Sequence, residues 1–173
     1  MTFAKEHAVV LEMTVEAGDW PAEDYLQKLC LAAIDAAHRL LVDKGLLAAS
    51  GEPPELSMLF TDDAAMTAIN GEWRGQPKPT NVLSFPAAEL DIGDPTPPML
   101  GDIVFALETI RRETNELDRK FDDHLAHLTV HGYLHLLGYD HIEAEEAEEM
   151  ESLETRILAT MGISDPYEST DLI

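Results

Sequence analysis

Three histidines near the end of the sequence have the spacing of a metal site. His131 and His135 are four residues apart, so on a helix their imidazoles lie on one face, about 6 Å apart along the axis. Two imidazoles in that arrangement reach one ion at about 2.0–2.1 Å each. Gly138 is expected to end the helix, because glycine tolerates the left-handed conformation, so that His141 approaches as the third ligand. The spacing predicts one Zn²⁺ per chain.

The predicted site leaves a position open for chemistry. A zinc ion with three protein ligands keeps a fourth position for water, as catalytic sites do. Zinc lowers the pKa of that water to about 7, so hydrolysis by a zinc-bound water is the expected reaction. The histidines follow the H-x-x-x-H-x-x-G-x-x-H frame of the metzincin peptidases, but Gly132 stands where those enzymes carry their catalytic glutamate. No protein base is assigned.

Three residues beside the triad have roles that the sequence leaves open. His127 and His124 continue the helical face of the ligands, where they would either orient the ligands or pack in the core. Asp140 precedes the third ligand and would either orient a histidine or cap a turn. The sequence does not decide between these roles.

The first half of the chain is predicted to alternate strands and helices. Period-two alternation indicates a strand over 9–15, and helical spacing then runs to Gly45, with Pro21 in the first turn. A second strand is predicted over 56–60. A short helix follows it, capped by Thr61 or Asp62 and ending at Gly71.

The second half is predicted to be mainly helical. Brief strands are expected over 82–85 and 103–106, separated by a loop rich in proline and glycine. Three helices follow, the first to about 117, the second from about 122 to 137, and the third from about 143 to 161. The predicted fold class is therefore α+β, with about four strands covered by about five helices in a single domain over 1–173.

Composition favours an intracellular protein. Cys30 is the only cysteine, so neither an internal disulfide nor a cysteine-based metal site is expected. The first residues lack the pattern of an export signal, and no stretch of eighteen apolar residues predicts a membrane span. A cytoplasmic location without membrane association is expected.

The net charge is strongly negative. There are 34 acidic and 11 basic residues, which gives −23. Such a surface repels nucleic acid at long range, so any RNA function requires a local basic site. Six basic residues fall between positions 74 and 120, and scattered solvated charges are the ordinary interpretation of most of them: Arg74, Lys78, Arg111, Arg112, Arg119 and Lys120.

The histidine segment and an upstream motif resemble one known family. The residues that carry the resemblance are His-Gly-Tyr-Leu-His-Leu-Leu-Gly-Tyr-Asp-His over 131–141, Asn-Gly-Glu-Trp-Arg over 70–74, Pro-Thr-Asn-Val-Leu-Ser-Phe-Pro over 79–86, and Gly-Asp-Ile over 101–103. Together they resemble the YbeY family of bacterial endoribonucleases that mature ribosomal RNA. The matches span about 56–142.

The resemblance implies a specific function. It implies a mixed sheet, a zinc ion and cleavage of single-stranded RNA in the 3′-end maturation of 16S ribosomal RNA and in ribosome quality control. It also implies the small ribosomal subunit as a partner, with a basic ribosomal protein or the Era GTPase as further candidates. The essential arginine of the family falls on Arg74, where a planar guanidinium would hold phosphate oxygens and offset developing charge.

Other residues of the upstream motif are candidates for the same site. Lys78 and Ser84 are candidates for substrate binding. Asn81 and Asp102 would either shape the site or serve at a turn and a strand end.

The C-terminal segment over 143–173 is predicted to be an acidic helix and tail. The glutamates at 143, 145, 146, 148, 149, 151 and 154 are interpreted as a solvated helix face, with binding of a basic ribosomal protein as the alternative.

The rivals to the endoribonuclease are a metzincin-like metallopeptidase and a non-catalytic ribosome-assembly factor that zinc stabilises.

Overall fold

One mixed sheet of four strands organises the protein. The computed structural model describes residues 7–48 and 51–167. The strands are β1 (Val10–Val15), β2 (Glu55–Thr61), β3 (Val82–Pro86) and β4 (Met99–Ala106). They lie in the order β1-β2-β4-β3, with β1 and β4 parallel to β2 and with β3 antiparallel to β4. The mixed α+β sheet that the resemblance implied is confirmed.

Five helices cover the sheet in the described part of the chain. They are α1 (Glu23–Asp43), α2 (Asp63–Arg74), α3 (Leu107–Leu117), α4 (Phe121–Leu136) and α5 (Ala144–Thr160). None of the helices in residues 7–48 and 51–167 is both long and apolar enough to cross a membrane. The last six residues of the predicted acidic segment lie outside the described residues.

The alternating residues of the central strands divide the core into two layers. Phe60 of β2 stacks on Phe105 of β4, with ring centroids 4.9 Å apart, in the main core that α1, α4 and α5 also line. Val104 and Ala106 point to the other face and pack against Met66 of α2. Helix α4 therefore lies between the sheet and two other helices, which buries most of its surface.

Several predicted boundaries differ from those in the structure. Helix α2 does not end at Gly71 but continues to Arg74, because the residue that adopts the left-handed conformation is Gly75, at φ 68°. Pro21 precedes the N-cap Ala22 instead of lying in the first turn of α1. Strand β4 begins at Met99, earlier than predicted, since its first residues pair with β2 and β3. Of the two proposed caps of α2, Asp62 is the one used, because its carboxylate accepts from the N–H of Ala65.

Candidate metal centre

The C-terminal end of α4 and the turn after it bring the three histidines together. The Nε2 atoms of His131 and His135 are 3.1 Å apart. The ring of His141 lies 5.4 Å from that of His131 and 4.9 Å from that of His135, between centroids. The helix ends at Leu136, and Gly138 follows at φ 105°, where an added Cβ would lie 2.4 Å from the carbonyl oxygen of Leu90. A glycine is therefore required at this turn both by conformation and by space.

The spacing of the ring nitrogens fits a metal ion. One nitrogen from each of the three histidines lies within 4.8 Å of the others. Two nitrogens bound to a single tetrahedral zinc ion at about 2.0–2.1 Å lie about 3.3–3.4 Å apart, close to the observed separation of the His131 and His135 nitrogens. The three histidines are therefore close enough together to hold one metal ion.

The surroundings of His135 favour its neutral form. Burial, and to a lesser extent the nearby imidazoles of His131 and His141, lower the pKa of His135 to about 4, well below the usual value for histidine. A neutral imidazole is the form that binds a metal ion. His135 therefore has its nitrogen lone pair available at neutral pH.

A buried carboxylate lies behind the triad. Glu154 of α5 is 0% exposed, and its Oε2 lies 2.9 Å from Nδ1 of His131. Its Oε1 lies 2.6 Å from Nε2 of His127 and also accepts from the hydroxyl of Tyr167. Burial alone would raise the pKa of Glu154, but the hydrogen bonds to His127 and His131 outweigh it and hold the pKa at about 2. The carboxylate is therefore ionised.

The interpretation of the whole acidic segment as a solvated face is wrong at Glu154. The other six glutamates in that group are exposed, as predicted. Glu154 instead occupies the apolar face of α5, four residues after Met150 and three before Ile157, both of which are buried. That spacing was the sequence signal that distinguished it from its neighbours.

His127, His124 and Asp140 take different places. His127 contacts Glu154, whereas the buried His124 pairs with Glu113 of α3 at 2.8 Å and contacts none of the three triad histidines through its hydrogen bonds. The Oδ1 of Asp140 accepts from the backbone N–H of His141 at 2.7 Å, so this carboxylate braces the turn that carries the third histidine.

The triad opens on a cleft of about 1020 Å³. Arg74, Lys78 and Ser84 line it together with the three histidines, and Asn81 contributes to the same wall. Among the described residues, Arg74 and Lys78 are the two lysine or arginine side chains of this lining. Asp102 is exposed on β4 and does not line the cleft. Four of the six clustered bases therefore lie elsewhere.

Two contacts hold Arg74 against the cleft wall. Its Nη2 donates to the carbonyl oxygen of Ser84 at 2.8 Å, and its guanidinium carbon lies 5.1 Å from the ring centroid of Phe85. Asn81, which precedes β3, donates to Glu113 and accepts from the N–H of Val82. The upstream motif lies beside the histidines because β3 pairs with β4 and also contacts α4.

The fold and the site define an α+β protein in which three histidines are arranged to hold one metal ion beside an arginine. A family model described as "Endoribonuclease YbeY" matches residues 19–162. The chain belongs to the YbeY endoribonuclease family, and it is a hydrolase of that class.

Curated relatives and a solved structure are similar over most of their lengths. A protein of Rhizobium meliloti (strain 1021) named "Endoribonuclease YbeY" is 57% identical over 160 residues, which cover 92% of this chain and 95% of the relative. A protein of the same name from Sinorhizobium medicae (strain WSM419) is 58% identical with the same coverage. The solution structure of TM1509 from Thermotoga maritima has a TM-score of 0.52 at 22% identity, covering 94% of this chain and 98% of that one, and supports the fold.

Proposed function

We propose that this chain is a zinc-dependent endoribonuclease that cleaves single-stranded RNA. His131, His135 and His141 would hold one Zn²⁺, and Arg74 would bind the phosphate at the cleavage site. The observation that carries the proposal is that the three histidines and Arg74 line one cleft. The proposal rests on residues from two separate motifs that the fold brings to the same wall.

The donor set supports zinc. Three imidazoles match a catalytic zinc site with a position left open, and the chain offers no cysteine near them, since Cys30 is buried in the core. Zinc bound there would supply a hydroxide at neutral pH by lowering the pKa of water to about 7. Asp140 and Gly138 would hold His141 at its place in the turn.

Arg74 and Lys78 would bind the RNA backbone. Arg74 uses one N–H for Ser84, and a guanidinium has five N–H donors in a fixed fork, so donors remain for two phosphate oxygens. Lys78 would add a second positive charge along the cleft, and Ser84 would contribute through its position beside Arg74. Charge that develops on the phosphate during cleavage would then be offset by a pre-positioned cation.

The structure argues against a metzincin-like metallopeptidase. A Cβ added at Gly132 would lie 3.0 Å from Cδ1 of Ile103, because α4 packs closely on β4 at this point. A glutamate at this position, as the peptidases have, would require Ile103 to move. The site therefore has no glutamate that could act as the peptidase base. The space beside Gly132, where the side chain of that glutamate would begin, is occupied by Ile103.

The cellular role is proposed from the family. We propose that the chain acts in the cytoplasm as a single domain over 1–173, in 3′-end maturation of 16S ribosomal RNA, ribosome biogenesis and ribosome quality control. Its partners would be the small ribosomal subunit and a basic ribosomal protein or the Era GTPase. The net charge of −23 supports a partner that presents the RNA, because the free chain repels it.

A paired cleavage assay tests the proposal. Protein would be incubated with a single-stranded RNA and, separately, with casein, each with and without a chelator. We expect the protein to cleave the RNA and not the casein. Cleavage should stop when the chelator removes the metal, while circular dichroism shows that the fold is retained. His141→Ala should be inactive, whereas His38→Ala, which replaces a histidine of α1 outside the cleft, should remain active. Cleavage of casein would support the peptidase, and unfolding without metal would support the assembly factor.

A further inference from the structure

We infer that Glu154 is the positioning residue of the metal centre, and that its carboxylate keeps the ring proton of His131 on Nδ1 so that Nε2 faces the metal. The inference rests on the proposed function for the identity of the ion. It assigns to α5 and to the segment after it a part in metal binding that no motif in the sequence marks.

The two nitrogens of the His131 ring point to different partners. Nδ1 lies 2.9 Å from Oε2 of Glu154, and Nε2 lies 3.1 Å from Nε2 of His135, on the side where the three histidines meet. An ionised carboxylate accepts hydrogen bonds and donates none. Nδ1 must therefore carry the proton of a neutral ring, which leaves the lone pair of Nε2 for the metal.

The other oxygen of Glu154 is held by two further donors. Oε1 lies 2.6 Å from Nε2 of His127 and accepts from the hydroxyl of Tyr167. A carboxylate with no exposed surface needs such partners, since an unpaired buried charge is costly. With both oxygens engaged, the carboxylate cannot turn away from His131 without breaking another hydrogen bond.

The segment after α5 completes this arrangement. Tyr167 packs its ring against His127, with centroids 5.5 Å apart, and its N–H donates to Asp165 at 2.8 Å. Thr155 donates to the same Asp165 carboxylate at 3.2 Å, and Arg119 donates to the carbonyl oxygen of Pro166. Contacts from α3's C-terminal loop and from α5 thus fix Tyr167 over the buried carboxylate.

A purely structural role is the competing explanation. The His127–Glu154 pair joins α4 to α5, so it would stabilise helix packing even if it had no effect on the metal. The His131–Glu154 contact also joins the two helices, so packing alone would likewise place the proton of His131 on Nδ1. The tautomer of His131 therefore tests whether Glu154 sets the position of the proton, and zinc affinity in a Glu154 variant separates a role in metal binding from helix packing.

The first measurement is the tautomer of His131 in the metal-free full chain, by nitrogen-15 NMR at about pH 8, where ordinary histidines are neutral. We expect proton-bearing Nδ1 and bare Nε2. The opposite tautomer, or an equal mixture of the two, would overturn the inference. This measurement uses the metal-free wild-type protein, so it depends neither on the folding of a variant nor on zinc binding.

The second measurement compares zinc affinity in Glu154→Gln with that in Glu148→Gln. Both substitutions remove one negative charge from α5, but Glu148 is exposed. We expect Glu154→Gln to raise the dissociation constant for zinc by about 10–100-fold and Glu148→Gln to leave it unchanged, because outer partners of a ligating histidine typically contribute that much. Tyr167→Phe, which removes one donor to Glu154, should weaken zinc binding less than Glu154→Gln.

The outcomes distinguish this inference from the proposed function. Equal zinc affinity in wild type and a folded Glu154→Gln protein would overturn the inference while leaving the zinc enzyme intact. A wild-type protein that binds no zinc would overturn the proposed function, and the tautomer of His131 would then decide the inference by itself.

Discussion

Replacing Arg74 separates the geometry of its guanidinium from its charge. In the structure Arg74 donates to the carbonyl oxygen of Ser84 at 2.8 Å and lies over the ring of Phe85 at 5.1 Å, on the exposed wall of the cleft. Alanine removes the charge and the fork of donors. Lysine keeps the charge but offers a single ammonium in place of the planar fork.

The contacts of Arg74 allow its structural and catalytic contributions to be compared. A hydrogen bond of this kind contributes about 0.5–1.5 kcal/mol and an exposed cation–π contact about 0.5–1 kcal/mol. Arg74→Ala should therefore lower the free energy of unfolding by about 1–2.5 kcal/mol, too little to unfold an ordinary domain. Losing a donor that stabilises developing charge costs about 10²–10³-fold in rate. The loss of activity should thus far exceed the loss of stability.

The assay is kcat/KM on a single-stranded RNA, measured with zinc content and the urea midpoint of each variant. We expect Arg74→Ala to lose about 10²–10³-fold with unchanged zinc content, and Arg74→Lys to recover only part of the loss. Arg111→Ala is the matched control, because Arg111 also donates to a backbone carbonyl oxygen, that of Asp19 at 2.8 Å, but lies outside the cleft. Full activity of Arg74→Lys would refute a two-pronged phosphate contact, and loss of zinc in Arg74→Ala would show a structural role.

Three further predictions concern the turn, the cleft and pH. Gly138→Ala should cost about 1–3 kcal/mol of stability and lower the zinc content, because the new Cβ would lie 2.4 Å from the carbonyl oxygen of Leu90. The control Gly162→Ala also changes a glycine with positive φ, 77°, but its Cβ would have nothing within 4 Å, so this variant should keep its zinc. Equal zinc content in the two variants would contradict the prediction. RNA affinity should fall with salt at a log–log slope of about −1.4, since two basic side chains line the cleft and each neutralised phosphate contributes about 0.7; a much steeper slope would show that bases outside the cleft take part. The pKa of His135 is about 4 in the folded protein, so the unfolded chain binds more protons below about pH 6.5, and the metal-free protein should lose stability as the pH falls from 6.5 toward 4. Glu154, whose pKa is about 2 in the folded protein, should cause a further loss of stability below about pH 4.5. Urea unfolding that is unchanged between pH 7 and 4 would contradict this prediction.

The local features of the site could be predicted because they depend on short stretches of chain. The spacing of His131 and His135 fixes their face on any helix, and Gly138 marks the turn that brings His141 alongside. The order of strands and helices also follows from local periodicity. The helix that carries the ligands was predicted within one or two residues, since the spacing of its apolar residues and the glycine after it are local features.

The features that the sequence did not predict depend on contacts between distant segments. The spacing of Glu154 from Met150 and Ile157 places it on the apolar face of α5, but only the packing of α5 on α4 shows that its carboxylate lies beside His127 and His131. The wrong end predicted for α2 has a local cause, since Gly75 and not Gly71 adopts the left-handed conformation, at φ 68°. Tertiary packing is thus the missing information for Glu154 alone of these two.

The measurement that tests the central claim most directly is cleavage of single-stranded RNA as zinc is titrated into the metal-free protein, with His131→Ala in parallel. We expect cleavage by the wild type to rise with added zinc and to saturate at one equivalent per chain, while His131→Ala stays inactive at the same zinc concentrations. Full cleavage by the metal-free wild type, or the same zinc-dependent cleavage by His131→Ala, would contradict a catalytic zinc ion held by the three histidines.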